Sequence, residues 1–123
     1  MNVQKVTEEL GKKYPEKNII VTDVDGYEEV LCELDPTSEH KERSLAIVVV
    51  GKSKEHYHKK TTEIYGVLKG KLVLYVDNEK YVLKVGQKKE IKPGCKHWCR
   101  GKNAWFYTYS TPGWTSKDHY ITK

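Results

Sequence analysis

His56-Tyr57-His58-Lys59-Lys60-Thr61-Thr62-Glu63 is the stretch on which the reading of this chain turns. Two histidines one residue apart share a direction only on an extended strand, where side chains alternate between the two faces. Glu63 follows after a short turn and opens an apolar run, Ile64-Tyr65-Gly66-Val67-Leu68. A carboxylate is costly to bury there unless something compensates its charge, and a bound cation would do so. A third histidine, His97, sits in Cys95-Lys96-His97-Trp98-Cys99, another strand-like run. Three imidazoles and one carboxylate make a four-ligand set for a metal ion.

Outward from this stretch the chain reads as short strands separated by turn residues. Strand-like runs cover 19–22, 27–34, 45–50, 63–68, 72–76, 81–85 and 104–110, and Gly86 opens a loop toward Glu90-Ile91. Asp25-Gly26, Lys69-Gly70-Lys71, Asp77-Asn78-Glu79 and Pro93-Gly94 mark turns, residues 35–42 form a polar loop, and Gly51 is the expected stop after Val50. Many short strands at close intervals predict an all-β sandwich or barrel. A small closed barrel encloses side chains or one ligand, and inward-facing histidines would meet in that interior. Ahead of the strands, Val3, Val6 and Leu10 stand at helical spacing, with Gly11 the expected terminator. The chain therefore divides into an N-terminal helical extension (1–18), a barrel (19–113) and an irregular C-terminal tail (114–123).

At 123 residues the barrel is a single domain by size. The three cysteines, Cys32, Cys95 and Cys99, are odd in number and lack CxxC spacing, as expected for reduced thiols of a cytoplasmic protein. On one strand, Cys95 and Cys99 would stand about 13 Å apart, too far for a disulfide. The first ten residues hold acidic side chains and no apolar run, so they do not read as a signal peptide. No apolar run reaches the length of a transmembrane helix. The net charge of +5 comes from 22 basic and 17 acidic residues that are interspersed, as on a solvated surface. Neither nucleic acid nor a membrane is an expected partner.

Two spacings carry a family resemblance. His56-x-His58, four residues, Glu63, six residues and Gly70 resemble the first motif of the cupin superfamily. Gly86 followed by Pro93-Gly94-Cys95-Lys96-His97 resembles the second, and the interval between them suits a small single-domain cupin. The resemblance spans about residues 45 to 110. The chain departs from the pattern in its turns: Gly51 leaves four residues before His56, Lys92 stands where Pro is usual, and Gly101 replaces an Asn. All four ligand positions are filled. The resemblance implies a double-stranded β-helix, a jelly-roll barrel, here with a short N-terminal helix. It also implies one divalent transition metal held by His56, His58, Glu63 and His97. Three nitrogens and one oxygen suit Mn, Fe, Co, Ni, Cu or Zn. Family habit further implies a homodimer paired through strands, with the N-terminal segment able to extend a neighbour's sheet.

Around the ligands, alternation from His97 turns Cys95 and Cys99 inward, and Cys95 is expected to approach the metal. Tyr65 shares a face with Glu63, and Trp105, Tyr107 and Tyr109 share one face of the last strand. Tyr65, Tyr107 and Cys95 are accordingly the candidates for a group acting beside the metal. Lysines near the motifs, among them Lys54, Lys59, Lys60 and Lys96, predict a basic rim and an anionic small-molecule ligand. His40 and His119 lie outside the motifs and read as surface residues. The function expected is a metal-binding cupin acting on a small polar, anionic molecule, preferentially as a sugar or sugar-phosphate isomerase or epimerase. A non-heme metal dioxygenase and a non-catalytic small-molecule sensor are the alternatives.

Overall fold

Residues 1–122 are described in the computed structural model of the chain. A helix, α1 (Val3–Lys13), precedes ten strands: β1 (Asn18–Val24), β2 (Tyr27–Asp35), β3 (Ser44–Lys52), β4 (His56–Tyr57), β5 (Thr62–Lys69), β6 (Leu72–Val76), β7 (Glu79–Leu83), β8 (Lys88–Ile91), β9 (His97–Thr111) and β10 (Tyr120–Ile121). The described strands pair antiparallel, in the order β1-β2-β3-β9-β4-β10, while β5 joins β8 to β9 and β6 joins β7 to β9. β9 holds the two halves together. Its first residues pair with β6, and Ala104 to Ser110 lie between β3 and β5. The result is a curled antiparallel sheet of the jelly-roll kind, with one short helix, as expected.

Alternation explains where the core sits. On β2, Val30 and Cys32 pack beneath α1, while Glu29, Leu31, Glu33 and Asp35 face a cavity inside the barrel. On β9, Trp105 and Tyr107 belong to the helix side, whereas Phe106, Thr108 and Ser110 line the cavity. One apolar cluster fills the barrel around Leu72, Leu74, Val67 and Phe106. A second seals α1 onto the sheet through Val6, Leu10, Ile47, Val49 and Trp105.

Several boundaries differ from expectation for local physical reasons. Asn2 caps α1 by accepting a hydrogen bond from the Lys5 N–H at 3.0 Å. The helix does not stop at Gly11 but runs to Lys13, because its end is set by Tyr14, the residue before Pro15. The N-terminal segment thus covers its own β1 and β2. Asp77 and Asn78 both adopt positive φ, 48° and 70°, which makes a two-residue hairpin turn and starts β7 at Glu79 instead of Tyr81. β3 continues through Gly51 to Lys52. The runs at 95–99 and 104–110 merge into the single strand β9, which absorbs an irregularity around Asn103, at φ 52°. The tail is ordered too: a short 3₁₀ turn at Ser116–Asp118 leads into β10, which pairs with β4. No helix among the described residues is long and apolar enough to cross a membrane.

Candidate metal centre

β4 and β9 place His56 directly opposite His97, and β5 brings Glu63 beside them. His58 lies just past the end of β4. One ligand atom from each of His56, His58, Glu63 and His97 lies within 4.8 Å of the others. The His56 and His97 ring centroids are 4.3 Å apart, and those of His58 and His97 are 5.5 Å apart.

Backbone carbonyls orient the three rings. Nδ1 of His56 donates to the Lys54 carbonyl at 3.0 Å, that of His58 to the Asp118 carbonyl at 2.6 Å, and that of His97 to the Cys95 carbonyl at 2.9 Å. A neutral imidazole that donates from Nδ1 carries its lone pair on Nε2, so all three rings offer Nε2 to the shared space. Glu63 Oε1 lies 3.0 Å from Nε2 of both His58 and His97, and Oε2 accepts from the Thr108 hydroxyl at 3.3 Å. Nε2 of His58 is buried yet has no aligned hydrogen-bond partner. An orphaned buried nitrogen within a set of three imidazoles and one carboxylate fits a bound cation.

The electrostatics agree. Burial, followed by the neighbouring His97 and His119, lowers the His56 pKa to about 3, so this ring stays an unprotonated ligand. Burial alone would raise Glu63, but the His58 and His97 imidazoles beside it outweigh burial and hold the carboxyl well below the ordinary range. For His58, burial opposes protonation, yet the Glu63 carboxylate prevails and raises its pKa. The same charge would attract a metal ion.

Residues 44–103 match the sequence profile of the cupin domain. Residues 44–103 form a cupin domain. No curated protein matches the chain by sequence. Among solved structures, this cupin is similar to Streptomyces PAC13, described as a nucleoside dehydratase and solved with uridine, at a TM-score of 0.75 and 14% identity over 88% of this chain and 86% of that one. It is also similar to KdgF from a Halomonas species, at a TM-score of 0.64 and 15% identity over 80% and 89% of the two chains. A cupin-like protein from Thermotoga maritima follows at a TM-score of 0.65 and 20% identity over 75% and 76%. At such identities the shared property is the fold.

The cupin brings its four expected ligand residues together, but it distributes the other candidates differently. Tyr65 reaches the cavity and sets its ring edge-on to His97 at 5.9 Å. Burial, and then Glu63, hold its hydroxyl protonated far above the usual range. Tyr107 does not stand beside the metal. Its ring lies on the opposite face, across Gly66, where any Cβ would collide with it, and packs with the helix-side cluster. Cys95 contributes its carbonyl to His97, while its thiol packs against the barrel interior, and burial followed by Asp77 raises its pKa. Cys99 is buried in the core and stays a thiol.

His119 is not a surface residue. Its ring stacks on His56 with centroids 4.3 Å apart, and its Nδ1 accepts the indole N–H of Trp114 at 3.1 Å. Asp118, next to it, receives the backbone N–H groups of Lys59, Lys60 and Thr61 while its own carbonyl holds His58. Tyr120 stacks on Tyr57 at 5.2 Å, completing the attachment of the tail. His40 is half-buried and 2.6 Å from an Asp35 oxygen. The only trace of these partners in the sequence is a tail rich in Trp, His and Tyr, with no spacing to tie it to the motifs.

A cavity of about 250 Å³ reaches the centre through His56 and Glu63. Leu31, Val48 and Phe106 form apolar wall, while Glu29, Glu33 and Asp35 add carboxyl groups. No lysine or arginine lines it. Lys54, Lys59 and Lys60 are exposed, so the expected basic rim does not extend into the cavity.

Proposed function

We propose that this cupin is a metal-dependent enzyme that moves protons on a small hydroxylated carbonyl compound, as sugar isomerases and epimerases do. The observation that supports this most is the convergence of three oriented imidazole nitrogens and Glu63 on the wall of a ligand-sized cavity. His56, His58, Glu63 and His97 would hold one divalent transition metal, which when bound polarises a carbonyl oxygen as a Lewis acid. The chain's own groups supply the remainder. The Lys54, Asp118 and Cys95 carbonyls keep the rings aimed, and Thr108 orients the carboxylate of Glu63. Phe106 and Leu31 give the cavity an apolar surface. The protonated Tyr65 hydroxyl is a donor available to a substrate oxygen. That PAC13 is a nucleoside dehydratase supports a substrate with a sugar-like array of hydroxyls.

The first test is metal content. Protein purified without added metal is expected to carry about one transition-metal ion per chain, and Glu63→Ala to lose it. Loaded protein incubated with aldoses and ketoses in deuterated water should then exchange a carbon-bound proton, read by NMR. Oxygen uptake without exchange would replace this reading with the dioxygenase. We also place the protein in the cytoplasm as a homodimer. Free Cys32, Cys95 and Cys99 suit a reducing compartment, and the exposed Ile20, Val21 and Val24 on terminal strand β1 suit pairing with a second copy, which light scattering would detect.

A further inference from the structure

Two polar groups in the cavity have no partner among the described residues. The half-buried Glu29 faces the cavity, and no hydrogen bond or ion pair among the described residues engages its carboxyl. The Tyr65 hydroxyl lies on a residue only 6% exposed and is likewise unengaged. The other cavity carboxyls differ: Glu33 accepts from the Asn18 amide at 2.6 Å, and Asp35 lies 2.6 Å from His40 and 3.9 Å from Arg43. A carboxyl and a phenol turned unpaired into one cavity are complementary to a ligand that both donates and accepts, as hydroxyl groups do.

Charge narrows the ligand further. A divalent ion on the cluster would be offset by Glu63 and Glu29, with Glu33 and Asp35 further along β2. A phosphate entering here would find carboxylates and no lysine or arginine. Lys52 and Lys54 line an adjoining cleft that shares Thr22, Glu29, His56 and His119 with the cavity, and each holds its ammonium 5.5 Å from the centre of the Tyr27 ring. Leu31, Val48 and Phe106 offer an apolar surface to the carbon face of a ring.

We propose that Glu29 and Tyr65 form a hydroxyl-recognising wall, and that the cavity takes an uncharged, hydroxyl-rich molecule such as a free sugar or nucleoside in preference to its phosphate ester. This deepens the function proposed above and rests on its placing of the substrate in this cavity. It also replaces the anionic ligand expected from the lysine count. Burial and then the Glu63 charge raise the Glu29 pKa to about 7.

Calorimetric titration of the full chain, metal-free and zinc-loaded, with two probe pairs tests the proposal: uridine against uridine 5′-monophosphate, and D-ribose against D-ribose 5-phosphate. At least one neutral probe is expected to bind, about tenfold more tightly than its phosphate. Glu29→Lys should reverse that preference. Glu29→Gln, the variant safer for folding, should narrow it, and Tyr65→Phe should weaken the neutral probe while leaving zinc binding intact. Equal or tighter binding of the phosphates, a preference untouched by both Glu29 variants, or no binding of any neutral probe at millimolar concentration would overturn it. Failure to bind zinc would instead remove the metal-dependent function and leave the selectivity result standing on its own.

Discussion

Val30 and Cys32 of β2 go beneath α1, and Glu29, Leu31, Glu33 and Asp35 of the same strand go to the cavity. The two faces are made of alternate residues a few ångströms apart, yet they follow opposite rules. The outer face is apolar, closed by Val6 and Leu10, and every contact there favours folding. The inner face gathers three buried imidazoles, the Glu63 carboxylate, the unpartnered Glu29 and an unengaged phenol, groups that disfavour folding unless something binds them. The two chain ends divide the same way. The N-terminal helix docks by apolar burial, whereas the C-terminal tail docks by hydrogen bonds that end on a ligand histidine. Along β2, apolar packing and polar chemistry are thus assigned to opposite sides of one strand, and unpaired polar groups on the inner side are the expected mark of a site built for a ligand.

Substitutions can break or sharpen this contrast. The largest effect should come from Glu63→Ala, which leaves three imidazoles without their carboxylate. Metal affinity should fall by on the order of a hundredfold or more, read by metal analysis after dialysis. Retained stoichiometry would remove the inner face's assigned role. On the outer face, Leu10→Ala should lower unfolding stability by about 2–5 kcal/mol in urea titrations with metal affinity unchanged. A parallel loss of metal would show that the faces are not separable. Asp118→Ala removes the carboxylate that receives three backbone N–H groups and loosens the segment whose carbonyl holds His58. It should weaken metal binding about tenfold and cost about 1–2 kcal/mol of stability, placing the tail with the inner face.

The smallest effect carries a sign that only the inner face predicts. Glu29 has its folded pKa raised to about 7 from 4.5, so ionisation disfavours folding. That penalty is absent below pH 4.5, grows between 4.5 and 7 and is complete above 7. Glu29→Gln should therefore raise stability by on the order of 1 kcal/mol near pH 8 and leave it unchanged near pH 4, measured as urea midpoints at the two pH values. A loss of stability at high pH would mean that the carboxylate has a partner within the chain.

The period-2 patterns and turn residues were readable because they are local. His56, His58 and Glu63 lie within eight positions, and alternation with one turn suffices to bring them together. His97 was reachable through the spacing from Pro93-Gly94, and the structure puts it opposite His56. Strand ends were less legible, since backbone pairing and not composition decided that β9 would run unbroken through Asn103.

What the sequence alone determined was a strand-rich chain, because alternation and short turns act over a few residues, and, through its likeness to the cupins, four residues that could hold a metal. Tertiary structure decided the remainder. Alternation along β9 could say that Trp105 and Tyr107 travel together but not that they face the helix, away from the cavity. Asp118 and His119 reach the ligands across about sixty residues of chain, and Glu29 comes to the cavity from a strand with no motif. No local rule links such distant positions. Closing the sheet on itself is what makes them neighbours, and burial in that closed space is what gives each of them its chemistry.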